Sequence, residues 1–257
     1  ARCKANPNLP VQEAINMKAM ELTLAHAEKK GSTDNLADTY RLVIEGWDVY
    51  EQRNGLIPLF ALAFFFYQLS YCMDWRVHVF ALVMNYLYYD WFSGVLHVVL
   101  DEPKNLRGWR SKVLLKPCLE FQWHHAIPMD IVKKGILQAC GDLNSVVLAC
   151  MFLYCYCYDL LSSDVGKCLC SYRILFAYFG QQAHLCSHQV PSKNHWVVRK
   201  LQSCLMLSPD EHRGHHRTHD DNFCIGAGWF NPMIRAMRKV TVNPNVWFAL
   251  FLSTFFW

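Results

Sequence analysis

The sequence predicts an all-α, integral membrane helical protein with four transmembrane helices in two hairpins and a histidine-rich cap on the cytoplasmic side. Three observations predict it. Apolar residues make up 53% of the 257 residues and charged residues only 18%, on the membrane side of the average soluble domain. The apolar residues collect into four runs rather than spreading evenly. Nine of the twelve histidines fall into four tight groups, three of which sit at or just beyond the end of such a run.

In chain order, residues 1–54 are expected to be a soluble helical lead-in. Within it, 11–30 places Ala, Met and Leu at helical spacing and ends at Gly31, a helix stop. No charged, apolar and cleavable signal pattern opens the chain, which begins at Ala1, so a processed or truncated form is expected. The membrane domain is expected over 55–245. Its first run, 56–73, is 18 residues without a charge; the second, 77–100, is interrupted by His78, Asp90 and His97. The third, 146–161, carries Asp159, and the fourth, 168–180, carries Arg173. A bilayer core asks for about 20 apolar residues per helix, with about 17 as the lower limit. The first two runs meet that length; the last two need flanking polar residues and are expected to be tilted, short or partly capped. Buried core helices of a soluble protein are the alternative, but those are ordinarily shorter and amphipathic. The segment 246–257 is an apolar tail of 12 residues, expected to be an interfacial helix or a truncated span.

Two hairpins bring His97, the connection 101–143, His184, His188 and everything after them to one side, because even numbers of crossings separate them. Lysine and arginine agree. Seven precede the first run, seven lie in 101–143 and eight follow His184, leaving only Arg76, Lys167 and Arg173 elsewhere. By the positive-inside rule the histidine face is cytoplasmic, or stromal in a plastid. The net charge of +4 suits a surface against anionic lipid, and no basic stripe with interleaved aromatics suggests nucleic acid.

The histidine groups are His97 with Asp101, the pair His124 and His125, His184 with His188, and His212, His215, His216 and His219. The first, third and fourth groups have helix-face spacing, since side chains at i, i+3 and i+4 lie one above another, so their imidazoles can converge. A lone histidine on an apolar stretch is ordinarily a hydrogen-bonded core residue, and His26, His78 and His195 are read so. Clustered imidazoles suit iron, zinc, copper or nickel, and eight or more are too many for one ion. Twelve cysteines without a CxxC pair read as reduced, apolar residues rather than a disulfide framework or zinc ribbon. His-Glu-x-x-His of zinc hydrolases and the Glu-x-x-His pairs of soluble di-iron bundles are both absent. What remains is a histidine-rich di-iron centre acting on dioxygen at a membrane.

Five strings then carry a family resemblance: Asp90-x-x-Ser93-Gly94-x-x-His97-x-x-x-Asp101, Phe121-Gln122-x-His124-His125, Gln182-x-His184-x-x-Ser187-His188, His212-x-x-His215-His216, and Phe223-Cys224-Ile225-x-x-Gly228-Trp229-x-Asn231. In this order they resemble the Kua family of lipid desaturases, which includes plasmanylethanolamine desaturase and plastid palmitate desaturase. The resemblance implies that 55–245 is a membrane lipid desaturase domain. It also implies that His97, His124, His125, His184, His188, His212, His215 and His216 ligate two iron ions, with His219 near a further family histidine. Asp101 is expected to orient an imidazole or to be a ligand itself. Gly141-Asp142-x-Asn144 resembles a family stretch with one residue inserted. Ser93-Gly94 is expected to allow close helix approach, and Asp90 to face the site or a polar neighbour. The implied reaction uses dioxygen and two external electrons to place a carbon–carbon double bond in a phospholipid acyl or alkyl chain. No His-Pro-Gly-Gly cytochrome motif is present, so the electron donor is expected to be separate, cytochrome b5 in the endoplasmic reticulum or ferredoxin in a plastid. The rival readings are a di-iron lipid hydroxylase and a non-enzymatic histidine-rich membrane metal-binding protein.

Overall fold

The computed structural model describes residues 56–255 except 71, 73, 107, 127, 134–139, 141–142 and 158–162. The lead-in 1–54 with His26, and the Gly141-Asp142 pair, lie outside the described residues. The described residues are helical, with no strand among them. The helices are α1 (Leu56–Leu69), α2 (Trp75–Leu100), α3 (Gly108–Ala126), α4 (Asn144–Tyr156), α5 (Asp164–His188), α6 (Trp196–Leu201), α7 (Pro209–Thr218), α8 (Asn231–Val240) and α9 (Pro244–Phe255).

Local chemistry sets several of the helix starts. Asp74 accepts the Arg76 N–H at 2.9 Å at the head of α2. Ser163 caps α5 by accepting the Gly166 N–H at 3.2 Å. Ser208 caps α7 by accepting the Glu211 N–H at 3.1 Å, with Pro209 in the first turn. Each occupies an N-terminal donor that the helix itself cannot satisfy. His219 ends α7 in the left-handed conformation, φ 56°, its N–H bonded to the His215 carbonyl at 2.7 Å.

The four expected apolar runs become α1, α2, α4 and α5, but among the described residues no helix is long and apolar enough to cross a membrane. This corrects the expectation of four spans in two hairpins. The reason differs by helix. α1 has 14 residues and α4 has 13, about 20 Å at 1.5 Å per residue, against a hydrocarbon core of about 30 Å. α2 and α5 have the length, at 26 and 25 residues. They spend it on polar side chains: Arg76, His78, Asn85, Asp90 and His97 in one, Lys167, Arg173, Gln181, Gln182, His184 and His188 in the other.

Contacts divide the chain into two compact units. The second, Gln52–Gly94 with Ile131–Arg235, is built on α5. Its core joins Phe65, Ala81, Tyr89, Tyr172, Phe176, Leu207 and Ile225, and a neighbouring cluster joins Ala61, Val147, Met151, Ile174 and Tyr178. Asn85 donates to the Leu169 carbonyl at 2.9 Å, tying α2 to α5. Gly180 lies so close to Tyr89 that an added Cβ would fall 1.6 Å from the phenol oxygen, so any side chain at this position would displace a buried ring. Asn144 accepts from the Tyr178 hydroxyl at 3.2 Å.

In the described part of the first unit, Val95–Asp130 and Ala236–Trp257, the turn after α2 is held from both sides. Asn105 donates to the Val99 carbonyl at 2.7 Å and accepts from Arg110 Nε at 2.6 Å. Arg110 also bonds Asn245, and Trp109 meets Phe248 edge to face with ring centroids 5.2 Å apart. The apolar tail is thereby a docked helix, α9, with Trp247 and Phe248 buried.

Candidate metal centre

α5 and α7 supply the denser histidine group, within the second unit. His184 and His188 stand one turn apart at the end of α5; His212 and His216 do the same on α7. One ring nitrogen from each of these four lies within 4.8 Å of the others. The Nε2 atoms make the approach: His212 to His188 at 2.7 Å, His216 to His212 at 3.1 Å and His188 to His184 at 3.2 Å. The rings pack edge to face, with centroids 4.4 Å apart for His188 and His212.

Burial decides the charge state. The His188 pKa is pushed down to about 4, first by desolvation and then by His215. His212 is held well below its ordinary value by burial, reinforced by His184, His188, His216 and His215. Imidazole nitrogens gathered at such distances, with His188 and His212 kept neutral by burial, form a donor set that suits a transition-metal ion, so these residues fit an iron centre on their own chemistry.

His215 belongs to the same helix but is oriented separately. Its Nδ1 donates to the Asp221 carbonyl at 2.8 Å, which leaves Nε2 as the basic nitrogen. A backbone carbonyl on the second ring nitrogen is a regular feature of metal-binding histidines. Asp221 is itself clamped by Arg235, whose Nε lies 3.0 and 2.9 Å from its two carboxylate oxygens. His219 sits beyond the last turn of α7 rather than on its face, yet offers a nitrogen within 4.8 Å of one from His216.

The first unit carries the other expected residues. His97 is fully buried in the last turn of α2, its ring 4.9 Å from that of Phe121. Asp101 follows one turn later, and its carboxylate lies 3.2 Å from Nε2 of His125. Both are buried. His124 and His125 close α3, with ring centroids 6.0 Å apart. Cys118, fully buried on the same helix, is kept a neutral thiol, its pKa raised by burial first and then by Asp101 and Glu102.

The strings around the histidines do structural work that their spacing does not announce. Asp90, fully buried, accepts the Ala227 and Gly228 N–H groups on Oδ1 at 2.7 and 3.0 Å and the Phe230 N–H on Oδ2 at 3.1 Å. Ser93 accepts the Ile225 N–H at 3.0 Å, and Asn231 accepts that of Cys224 at 2.9 Å. Gly228 adopts φ 81°, which only glycine takes without strain. A Cβ on Gly94 would come 2.6 Å from Cys224 Sγ, the close approach expected of Ser93-Gly94. The Phe223–Asn231 string is thus a buckle fastened to α2, and it follows the histidine helix directly. His195 is the cap of α6, accepting the Val197 N–H at 3.3 Å, a structural role as expected.

A family model for the lipid desaturase domain matches residues 86–242, more than half of the chain. The chain belongs to the lipid desaturase domain family. No curated protein and no solved structure matches it. As a lipid desaturase it is an oxidoreductase of lipid metabolism, and its histidine groups are compatible with the iron that such enzymes use.

Proposed function

We propose that this lipid desaturase is a di-iron enzyme of the Kua type that uses dioxygen and electrons from a separate donor to introduce a double bond into a phospholipid acyl or alkyl chain. The observation that carries the proposal is the approach of four imidazoles on α5 and α7, with one ring nitrogen of each within 4.8 Å of the others. The proposed iron ligands are His97, His124, His125, His184, His188, His212, His215 and His216, with His219 as a further one. Bound iron would supply the dioxygen activation that removal of hydrogen from an unactivated C–H bond requires.

The protein's own part is to orient and to exclude. The Asp221 carbonyl fixes the His215 ring, and Arg235 fixes Asp221. Asp101 orients the His125 imidazole through its carboxylate. Burial keeps His188 and His212 neutral at physiological pH, so protons do not compete for the nitrogens.

Association with a membrane of the endoplasmic reticulum or plastid, with the histidines facing cytoplasm or stroma, is part of the same proposal. Its support is a set of exposed apolar side chains on the second unit: Leu56, Phe60, Phe66 and Tyr67 on α1, Phe80 and Val83 on α2, Phe152 and Tyr156 on α4, the last two 77% and 80% exposed. Water-exposed apolar surface on this scale is a mark of a membrane or partner face, and it is consistent with helices that enter the bilayer without crossing it.

The test is expression in a host without plasmalogens or plastid lipids, supplied separately with cytochrome b5 and ferredoxin systems, followed by lipid mass spectrometry. A new vinyl ether lipid assigns an alkyl-ether substrate; a new double bond in a phospholipid acyl chain assigns an acyl substrate. Lipids that gain oxygen instead would make the enzyme a hydroxylase. Unchanged lipids from an iron-free chain would favour the metal-binding, non-enzymatic reading.

A further inference from the structure

A second set of soft donors lies in the second unit, away from the histidine group. Cys72 is in the turn after α1, His78 in the first turn of α2, and Cys168 near the start of α5. One donor atom from each lies within 4.8 Å of the others. Along α5, Cys168 and His184 are 16 residues apart, about 24 Å of helix. No ligand of the histidine group takes part.

The orientation of His78 gives the trio its direction. Its Nε2 donates to the Cys72 carbonyl at 2.8 Å, which leaves the lone pair on Nδ1. Nδ1 stands 3.9 Å from Cys168 Sγ. A tetrahedral zinc ion, with Zn–S of about 2.3 Å and Zn–N of about 2.0 Å, holds sulfur and nitrogen about 3.6 Å apart. The approach therefore needs to tighten by only a few tenths of an ångström. An imidazole whose other nitrogen is committed to a backbone carbonyl is the form in which histidine usually binds metal. Both cysteines are buried free thiols, so nothing in the trio has to be reduced or uncovered chemically.

We propose that Cys72, His78 and Cys168 bind a zinc ion, with water in the fourth position, that staples Cys72 and the start of α2 to the start of α5. Two thiolates and one imidazole are a zinc donor set, and soft sulfur selects against the harder ions. Binding releases one proton from each thiol to solvent. The resulting unit, a dication with two thiolates, carries no net charge, which is what a buried site requires. The three donors come from positions with no sequence spacing in common, so the staple joins segments that are separate along the chain.

Cobalt alone is the probe, added to the purified full chain after chelation, because a thiolate-to-cobalt charge-transfer band reports cysteine ligands and is silent for a site made of histidines. The expected result is a thiolate band in the parent protein and about one zinc in the untreated protein. Cys72→Ser and Cys168→Ser each lose the band and that zinc, while Cys118→Ser keeps both. His78→Gln weakens cobalt binding at least about tenfold. If a serine variant does not fold, the parent alone still decides: zinc should slow alkylation of Cys72 and Cys168, read peptide by peptide, relative to the chelated protein. The inference is overturned by a parent protein with no thiolate band and no such protection, by a band that survives in both folded serine variants, or by a Cys72–Cys168 disulfide in protein isolated without reductant.

Discussion

Asp90 offers the sharpest test of how the histidine helix is held. Its carboxylate receives three backbone N–H groups, from Ala227, Gly228 and Phe230, at 2.7 to 3.1 Å, and is itself fully buried. Hydrogen bonds to a charged group contribute about 1.5–3 kcal/mol each, and a buried donor stripped of its acceptor costs about 1–3 kcal/mol. Asp90→Ala removes all three acceptors at once. Allowing for relaxation and for the part-buried state of Ala227 and Phe230, the loss comes to about 4–6 kcal/mol, a large share of a typical folding free energy of about 5–15 kcal/mol. Asp90→Asn keeps one oxygen, which can retain the Ala227 and Gly228 bonds, but turns an amide towards the Phe230 N–H; it should cost about 2–3 kcal/mol. Thermal denaturation of the purified protein, followed by circular dichroism, measures both. The order Asp90→Ala worse than Asp90→Asn worse than parent is expected. Parent-like stability of Asp90→Ala would refute the idea that this carboxylate fastens the Phe223–Asn231 buckle.

Other outcomes follow from the same geometry. Gly180→Ala should destabilise by about 1–3 kcal/mol, since its Cβ meets the Tyr89 phenol at 1.6 Å; a chemical denaturation midpoint checks this. In chelated protein the folded His188 pKa, about 4, lies below the ordinary 6.5. The unfolded chain therefore binds more protons between these values, and stability should fall by roughly 3 kcal/mol as pH drops from 6.5 to 4. Denaturation midpoints measured across that range report it, and a flat profile would contradict the neutral, buried assignment. Arg235→Lys loses the paired approach to Asp221 and should weaken metal retention about tenfold or more while leaving the helical signal intact, as read by metal content after dialysis against a chelator.

Much of the site was legible because helical spacing is a local property. His184 with His188 and His212 with His216 lie one turn apart, and the structure places them as that spacing requires. His219 was not readable in this way, because the helix ends at Thr218 and a left-handed residue takes over. The expectation of spans at α1 and α4 failed for a related reason. Counting apolar residues does not register where a helix stops, and α1 ends at Leu69, where the Ser70 hydroxyl bonds the Tyr67 carbonyl at 2.6 Å. Asp90 read correctly as a residue seeking a polar neighbour, but the identity of that neighbour, three amides about 140 positions on, depends on tertiary folding. His78 looked solitary because its partners are Cys72 and Cys168, and no periodicity links the three.

The proposed role of the histidines is to hold iron for lipid desaturation. Its most direct test is the iron-to-protein ratio of the purified chain, measured beside lipid desaturation for the parent and for His212→Ala, whose ring lies at the middle of the Nε2 contacts. About two irons per chain, with both iron and new double bonds lost in the variant, is the predicted result. Double bonds formed by a chain that carries no iron, or by His212→Ala at the parent's rate, would contradict it.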